Sequence, residues 1–194
     1  MPADSVAATL AACVRVSPLL RRGRYSAVMS AITEYARLRP VELAHLRQLL
    51  VEAPDEAYAF VGDLADRENQ HDQTPRGTDI DKAGPGLAYL LGQLAPPVDV
   101  IGGGTALTDR EWGYDAPRLL TTEEVITASR FLDQTPFVRL AERYVPAELT
   151  AASVYPDIWS VEWALEYLEE AYIRLTAFFH AASIQGDSIL IWTS

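Results

Sequence analysis

The chain has 194 residues, of which 49% are apolar and 22% charged, a globular balance well outside the disordered regime. Its formal charge of −11 excludes a nucleic-acid partner, because phosphate backbones need a basic stripe to displace counterions, and it disfavours anionic membranes. The length fits one domain over 1–194 with a sizeable core.

Val6 to Val16 is rich in small and β-branched residues, and its second half reads as a strand. Leu10, Ala11, Ala12 and Cys13 have the outline of a lipoprotein cleavage site, but no basic segment precedes them and the apolar run is too short. Cys13 is the single cysteine, so no intrachain disulfide is expected and a reducing, cytoplasmic setting is. Ser17 and Pro18 form a helix-start signal. Ala27, Val28, Ala31, Ile32, Tyr35 and Leu38 then recur at three- and four-residue spacing, which predicts helix. Pro40 restarts the chain before Val41, Leu43, Leu46, Leu49 and Leu50. Pro54 does the same before Ala57, Tyr58, Val61, Leu64 and Ala65.

Asp66 to Thr78 is polar, holds Pro75 and Gly77, and reads as a loop suited to a lid. A helix is expected over Gly86–Leu94, with Asp79 or Asp81 near its start and Pro96 and Pro97 barring its continuation. Residues 98–114 read as an irregular connection. Thr121 and Glu124 form a capping box that opens a helix ending near Asp133. Short helices follow between Pro136 and Ala152, and Tyr155 before Pro156 sets a turn. From about Ile158 to Ala182 a long amphipathic helix carries Val161, Leu165, Leu168, Tyr172, Leu175, Phe179 and Ala182 on one stripe. Gly186 and Asp187 end it, and Ser188–Thr193 reads as a buried strand, since its apolar run does not alternate. No run approaches the ~20 apolar residues of a membrane span.

Three groups could carry chemistry. Asp79 and Asp81, two residues apart, stand beside Lys82, the single lysine. Two carboxylates could approach a divalent cation but are too few to enclose one, and capping a helix is the simpler role, with Lys82 or Arg118 as counter-charge. Gly102, Gly103 and Gly104 could present amides to an anion, yet no Gly-Lys-Ser/Thr ending follows; a sharp turn is the alternative. Arg118, downstream of Gly113 and Tyr114, could grip a carboxylate or phosphate with its planar fork, or pair internally with Asp79, Asp81 or Glu123. Convergence of Asp81, Tyr114 and Arg118 beside the glycines would make the best polar cleft this chain can build. His45, His71 and His180 lie in no catalytic motif, no serine occupies a nucleophile elbow, and no cofactor or metal is expected. Of Trp112, Tyr114, Tyr155, Trp159, Trp163 and Tyr167, most are assigned to the core and one or two to a groove wall.

The succession Asp79, Ile80, Asp81, Lys82; Gly86, Leu87, Ala88, Tyr89, Leu90, Leu91, Gly92; Gly102 to Thr105; Gly113, Tyr114; and Arg118 to Val125 resembles the YfbM-like bacterial family of domains of unknown function. The resemblance covers Thr78 to Trp192 well and the N-terminal third weakly. It implies an α+β fold with the chain ends in one sheet. Gly84 stands where that family usually has tryptophan, and Pro85 and Ala88 where it usually has histidines. Asp115, Ala116 and Pro117 precede Arg118 where Gly-Pro-Ala is usual. Any chemistry of those histidines is therefore absent here.

These readings converge on an α+β, mostly helical single domain, its small sheet including the N- and C-terminal strands and packing on the long C-terminal helix. The expected function is a non-catalytic cytoplasmic binding or interaction module for a basic protein. The alternative is a binder of, or enzyme on, a small anionic ligand bearing phosphate or carboxylate, using Asp79, Asp81, Lys82, Gly102–Gly104, Tyr114 and Arg118.

Overall fold

The computed structural model describes residues 31–66 and 74–194. The expected strand within 6–16, the helix start at Ser17, and the residues Cys13 and His71 lie outside this range. Five antiparallel strands form one sheet: β1 (Thr33–Leu38), β2 (Gly77–Asp79), β3 (Thr105–Ala106), β4 (Arg118–Leu120) and β5 (Ser188–Thr193), in the order β2-β1-β5-β4-β3. The helices are α1 (Pro40–Glu52), α2 (Pro54–Ala65), α3 (Gly84–Gly92), α4 (Thr122–Asp133), α5 (Val138–Ala141), α6 (Pro146–Ala151) and α7 (Ala164–Gln185).

The central pair is β1 with β5, from Thr33 opposite Thr193 to Leu38 opposite Ser188. It corrects the helical reading of residues 27–38: over 33–38 the chain is extended. Both faces of β1 are covered, so its apolar residues do not alternate, and Ala31, Tyr35 and Leu38 mimic helical spacing by chance. Pro40 also forces Arg39 into an extended conformation, φ −66° and ψ 157°, so no helix could run through it.

The sheet separates two cores. Ala36, Leu38, Leu119, Leu190 and Trp192 point one way, onto Leu46 of α1 and Ala57, Val61 and Leu64 of α2. Tyr35, Leu120, Ile189 and Ile191 point the other way, onto α3, α4 and α7. Strand alternation thus turns one sheet into the middle layer of three. β2 and β3, which fall in the stretches read as loop and connection, have three and two residues, too few for a period to register.

The capping box at Thr121 forms as read: Glu124 N donates to Thr121 Oγ1 at 3.3 Å and Thr121 N to Glu124 Oε2 at 2.8 Å. α7 starts at Ala164, later than expected, leaving Val161 outside it and 41% exposed. The residues before it are held in turns around Trp159, which is 1% exposed, donates Nε1–H to the Val154 carbonyl at 2.7 Å and accepts Tyr144 Oη–H on its own carbonyl at 2.5 Å. Gly186 closes α7 in the left-handed region, φ 71°. No helix among the described residues is long and apolar enough to cross a membrane.

Candidate functional site

The residues singled out in the sequence gather at one end of the sheet, around the Thr33–Thr193 pair. Ile80 N donates to the Thr33 carbonyl at 3.1 Å, which brings Asp79 to Lys82 alongside. On the other side Gly113 bridges to Thr193, and Tyr114 N donates to its carbonyl at 2.9 Å. The loop before β3 closes over the same end: Tyr35 Oη donates to the Val100 carbonyl at 3.1 Å. A Cβ on Gly84 would lie 2.6 Å from Thr33 Oγ1 and 3.6 Å from Ile101 Cγ2. A side chain at that position would need Thr33 to give way.

Within the cluster the polar groups engage one another. Asp79 Oδ1 accepts the Asp81 amide at 2.9 Å, a local Asx turn. Asp81 opens the 3-10 turn Asp81–Ala83 in the left-handed region, φ 46°, and its Oδ2 accepts the Tyr167 hydroxyl at 3.1 Å. Burial, with the Asp81 charge beside it, pushes the Tyr167 hydroxyl well above its ordinary range. Lys82 follows, half-buried.

The start of the triglycine loop is a local turn closed by Asp99. Asp99 Oδ1 accepts the amides of Ile101 at 2.9 Å and Gly102 at 3.1 Å, and the Asp99 carbonyl accepts Gly103 N at 3.1 Å. Sequence reading passed over Asp99, although an aspartate two or three residues ahead of such amides is an Asx-turn signal. Gly104 takes φ 85° and lies against the Leu119 backbone, where a side chain would be both strained and obstructed. Arg118 donates Nε–H to the Gly103 carbonyl at 3.2 Å and Nη2–H to that of Gly104 at 2.5 Å, rather than pairing with Asp79, Asp81 or Glu123. β4 lies three strand steps from β2, about 14 Å at the usual spacing, so Arg118 and Asp81 share an end of the sheet without touching.

A buried ion network went unseen in the sequence. Arg37 and Asp187 are both fully buried; Arg37 Nε and Nη2 each lie 2.9 Å from Asp187 Oδ2, and Nη1 donates to Thr74 Oγ1 at 2.8 Å. Arg76 donates to the Arg37 carbonyl at 2.8 Å, pairs with Glu42, and approaches Asp187 Oδ2 at 3.6 Å. Burial raises the Glu42 carboxyl, but hydrogen bonds from the Arg39 side chain and backbone and the Arg76 charge outweigh it and hold the group below its ordinary range. Two cations and two anions cancel, and they tie β1, α1, the approach to β2 and the α7–β5 junction together. An arginine inside an apolar strand was the available signal.

A cavity of about 790 Å³ lies elsewhere: α7 forms one wall, the end of α4 with residues 135–137 forms the other, and Thr74 also lines it. Ile173 and Ile184 on its α7 wall are 58% and 68% exposed. His180 Nδ1 sits 3.3 Å from Asp133 Oδ2 at the rim. Tyr172 donates to the Thr135 carbonyl at 2.6 Å, and burial pushes its hydroxyl up to about 12. Of the late aromatics, Trp112 and Trp159 are buried, whereas Tyr114 and Trp163 are exposed. No three His, Cys, Asp or Glu residues gather to hold a metal ion among the described residues.

The model of a family described as "Domain of unknown function (DUF1877)" matches residues 29–192. The crystal structure of a protein of unknown function, YfbM from Escherichia coli, superposes with a TM-score of 0.54 at 15% identity, covering 84% of this chain and 99% of that one. At that identity the likeness shows a shared fold. No curated protein matches the chain. The chain belongs to the DUF1877 family.

Proposed function

We propose that this family member is a non-catalytic cytoplasmic module that binds a basic protein. The observation that carries the reading is where its charges lie. The buried Arg37, Arg76, Asp187 and Glu42 network is neutral in sum, so the net −11 rests on the remaining groups. Arg118, the cation best shaped for gripping an anion, donates to the carbonyls of Gly103 and Gly104, and the Gly102 and Gly103 amides are taken by Asp99. What is left is an acidic surface with exposed apolar side chains along α7, which suits a cationic protein partner. The lone cysteine suits a reducing compartment. The test is capture of a basic protein, with its dissociation constant measured from 50 to 300 mM salt. Affinity should fall roughly tenfold or more as the screening length shortens. Salt-independent binding, or none, refutes the reading.

A second reading, a small phosphate- or carboxylate-bearing ligand at the sheet-end cluster, is favoured by the left-handed backbone of Asp81 beside Lys82. It requires such a ligand to stabilise the wild type in a thermal-shift screen and to lose that effect in Asp81→Ala. No stabilisation by any metabolite tried removes it.

A further inference from the structure

Resting on the binding reading above, we propose that the groove between α4 and α7 receives one amphipathic, basic helix of the partner protein, about three turns long. The α7 wall carries Ile173, Ala177, Ala181 and Ile184 in succession, at four-, four- and three-residue steps. That is the repeat of one face of a helix, and it is the repeat that the apolar face of a second helix interdigitates with. From Ile173 to Ile184 the wall extends eleven residues, about 16 Å at 1.5 Å per residue, which sets the length of the guest. The two alanines lie at the middle of the wall and the two isoleucines at its ends. The floor is therefore lowest at the centre, where a single large apolar side chain of the guest has room to seat. Ile173, Ala177 and Ile184 are exposed.

The charges around the groove select a cationic guest. Asp133 stands on the facing wall. Glu166, Glu169 and Glu170 continue the same exposed stripe of α7 beyond Ile173, with Arg174 as the cation at its edge and His180 already beside Asp133. A helix with leucines inward and lysines or arginines flanking them meets apolar surface in the middle, Asp133 on the facing wall and the three glutamates at the Ile173 end. A helix flanked by acids meets like charge.

The probes are three 16-residue fluorescent peptides: one with leucines on a single helical face and lysines elsewhere, one with glutamates in place of the lysines, and one with the lysine composition but the leucines dispersed. Anisotropy titrations at low salt use the full chain and the variants Ile184→Asp and Ala177→Trp, both at exposed positions, with Tm as the check on folding. The lysine probe should bind wild type at least ~10-fold more tightly than either other peptide, and each variant should lose ~10-fold or more of that affinity. The proposal is overturned by equal binding to wild type and variants, by equal binding of the lysine and dispersed peptides, or by no binding. It is also overturned by a wild-type dimer that Ile184→Asp dissociates, which would make a second copy the occupant. Salt-sensitive capture of a basic protein that both variants leave intact ends the groove assignment alone and keeps the function proposed above.

Discussion

The same substitution at two glycines should change stability in opposite directions. Gly86 lies in the first turns of α3 and is buried; a Cβ there would run into the ring edge of Trp159 and sit 3.0 Å from Leu168 Cδ2. The indole cannot retreat easily, being 1% exposed and pinned through Nε1 to the Val154 carbonyl. Gly86→Ala gains at most about 1 kcal/mol of helix propensity against an overpacking cost of about 1–3 kcal/mol. The bulky end of that range is expected, because backbone, indole and Leu168 meet at one point. The net loss should be about 1–2 kcal/mol, a drop of roughly 2–8 °C in Tm for a chain of this size. Gly62, inside α2 and exposed, has nothing within 4 Å of its would-be Cβ. Gly62→Ala should therefore gain up to about 1 kcal/mol. Urea midpoints and thermal melts of both variants decide the matter. A Gly86→Ala protein as stable as wild type would show that α3 does not pack on Trp159 as described.

Removal of the Asp187 carboxylate strands Arg37 in the interior, and Asp187→Ala should cost about 3–5 kcal/mol in urea denaturation; a loss under about 1 kcal/mol would mean that water reaches the guanidinium. Glu42 titrates below its ordinary range in the folded chain. Its contribution to stability is thus complete above the unfolded glutamate value of about 4.3 and disappears as pH falls through the lower folded value. Urea midpoints of wild type should accordingly decline more steeply below about pH 4.3 than those of Glu42→Gln, and parallel curves would refute the assignment.

Much of the helical layer was legible because its signals are local. Pro40 and Pro54 start helices, Thr121 with Glu124 caps α4, and Gly186 stops α7, each acting within one turn of chain. The buried strand over Ser188–Thr193 was legible from its apolar run. β1 was misread because a strand covered on both faces loses its alternation, and the spacing that remained resembled a helix. At the sheet end, Asp79, Asp81, the glycines, Tyr114 and Arg118 were singled out from the sequence, but Arg118 lies three strands from Asp79 and does not meet Asp81, and the partners these groups take were not legible. Asp99 takes the amides and the loop carbonyls take Arg118, because hydrogen bonds go to whichever group folding brings within reach.

Composition and short-range pattern by themselves determined that this chain folds as an acidic α+β protein, where most helices begin and end, and that its last strand is buried. Only the tertiary structure decided which strand lies beside that last one, that Arg37 meets Asp187 across 150 residues of sequence, and that α7 turns one apolar stripe inward while leaving Ile173 and Ile184 open to solvent. These outcomes depend on contacts between distant segments, where burial area and charge pairing outweigh the small local preferences that a sequence pattern records.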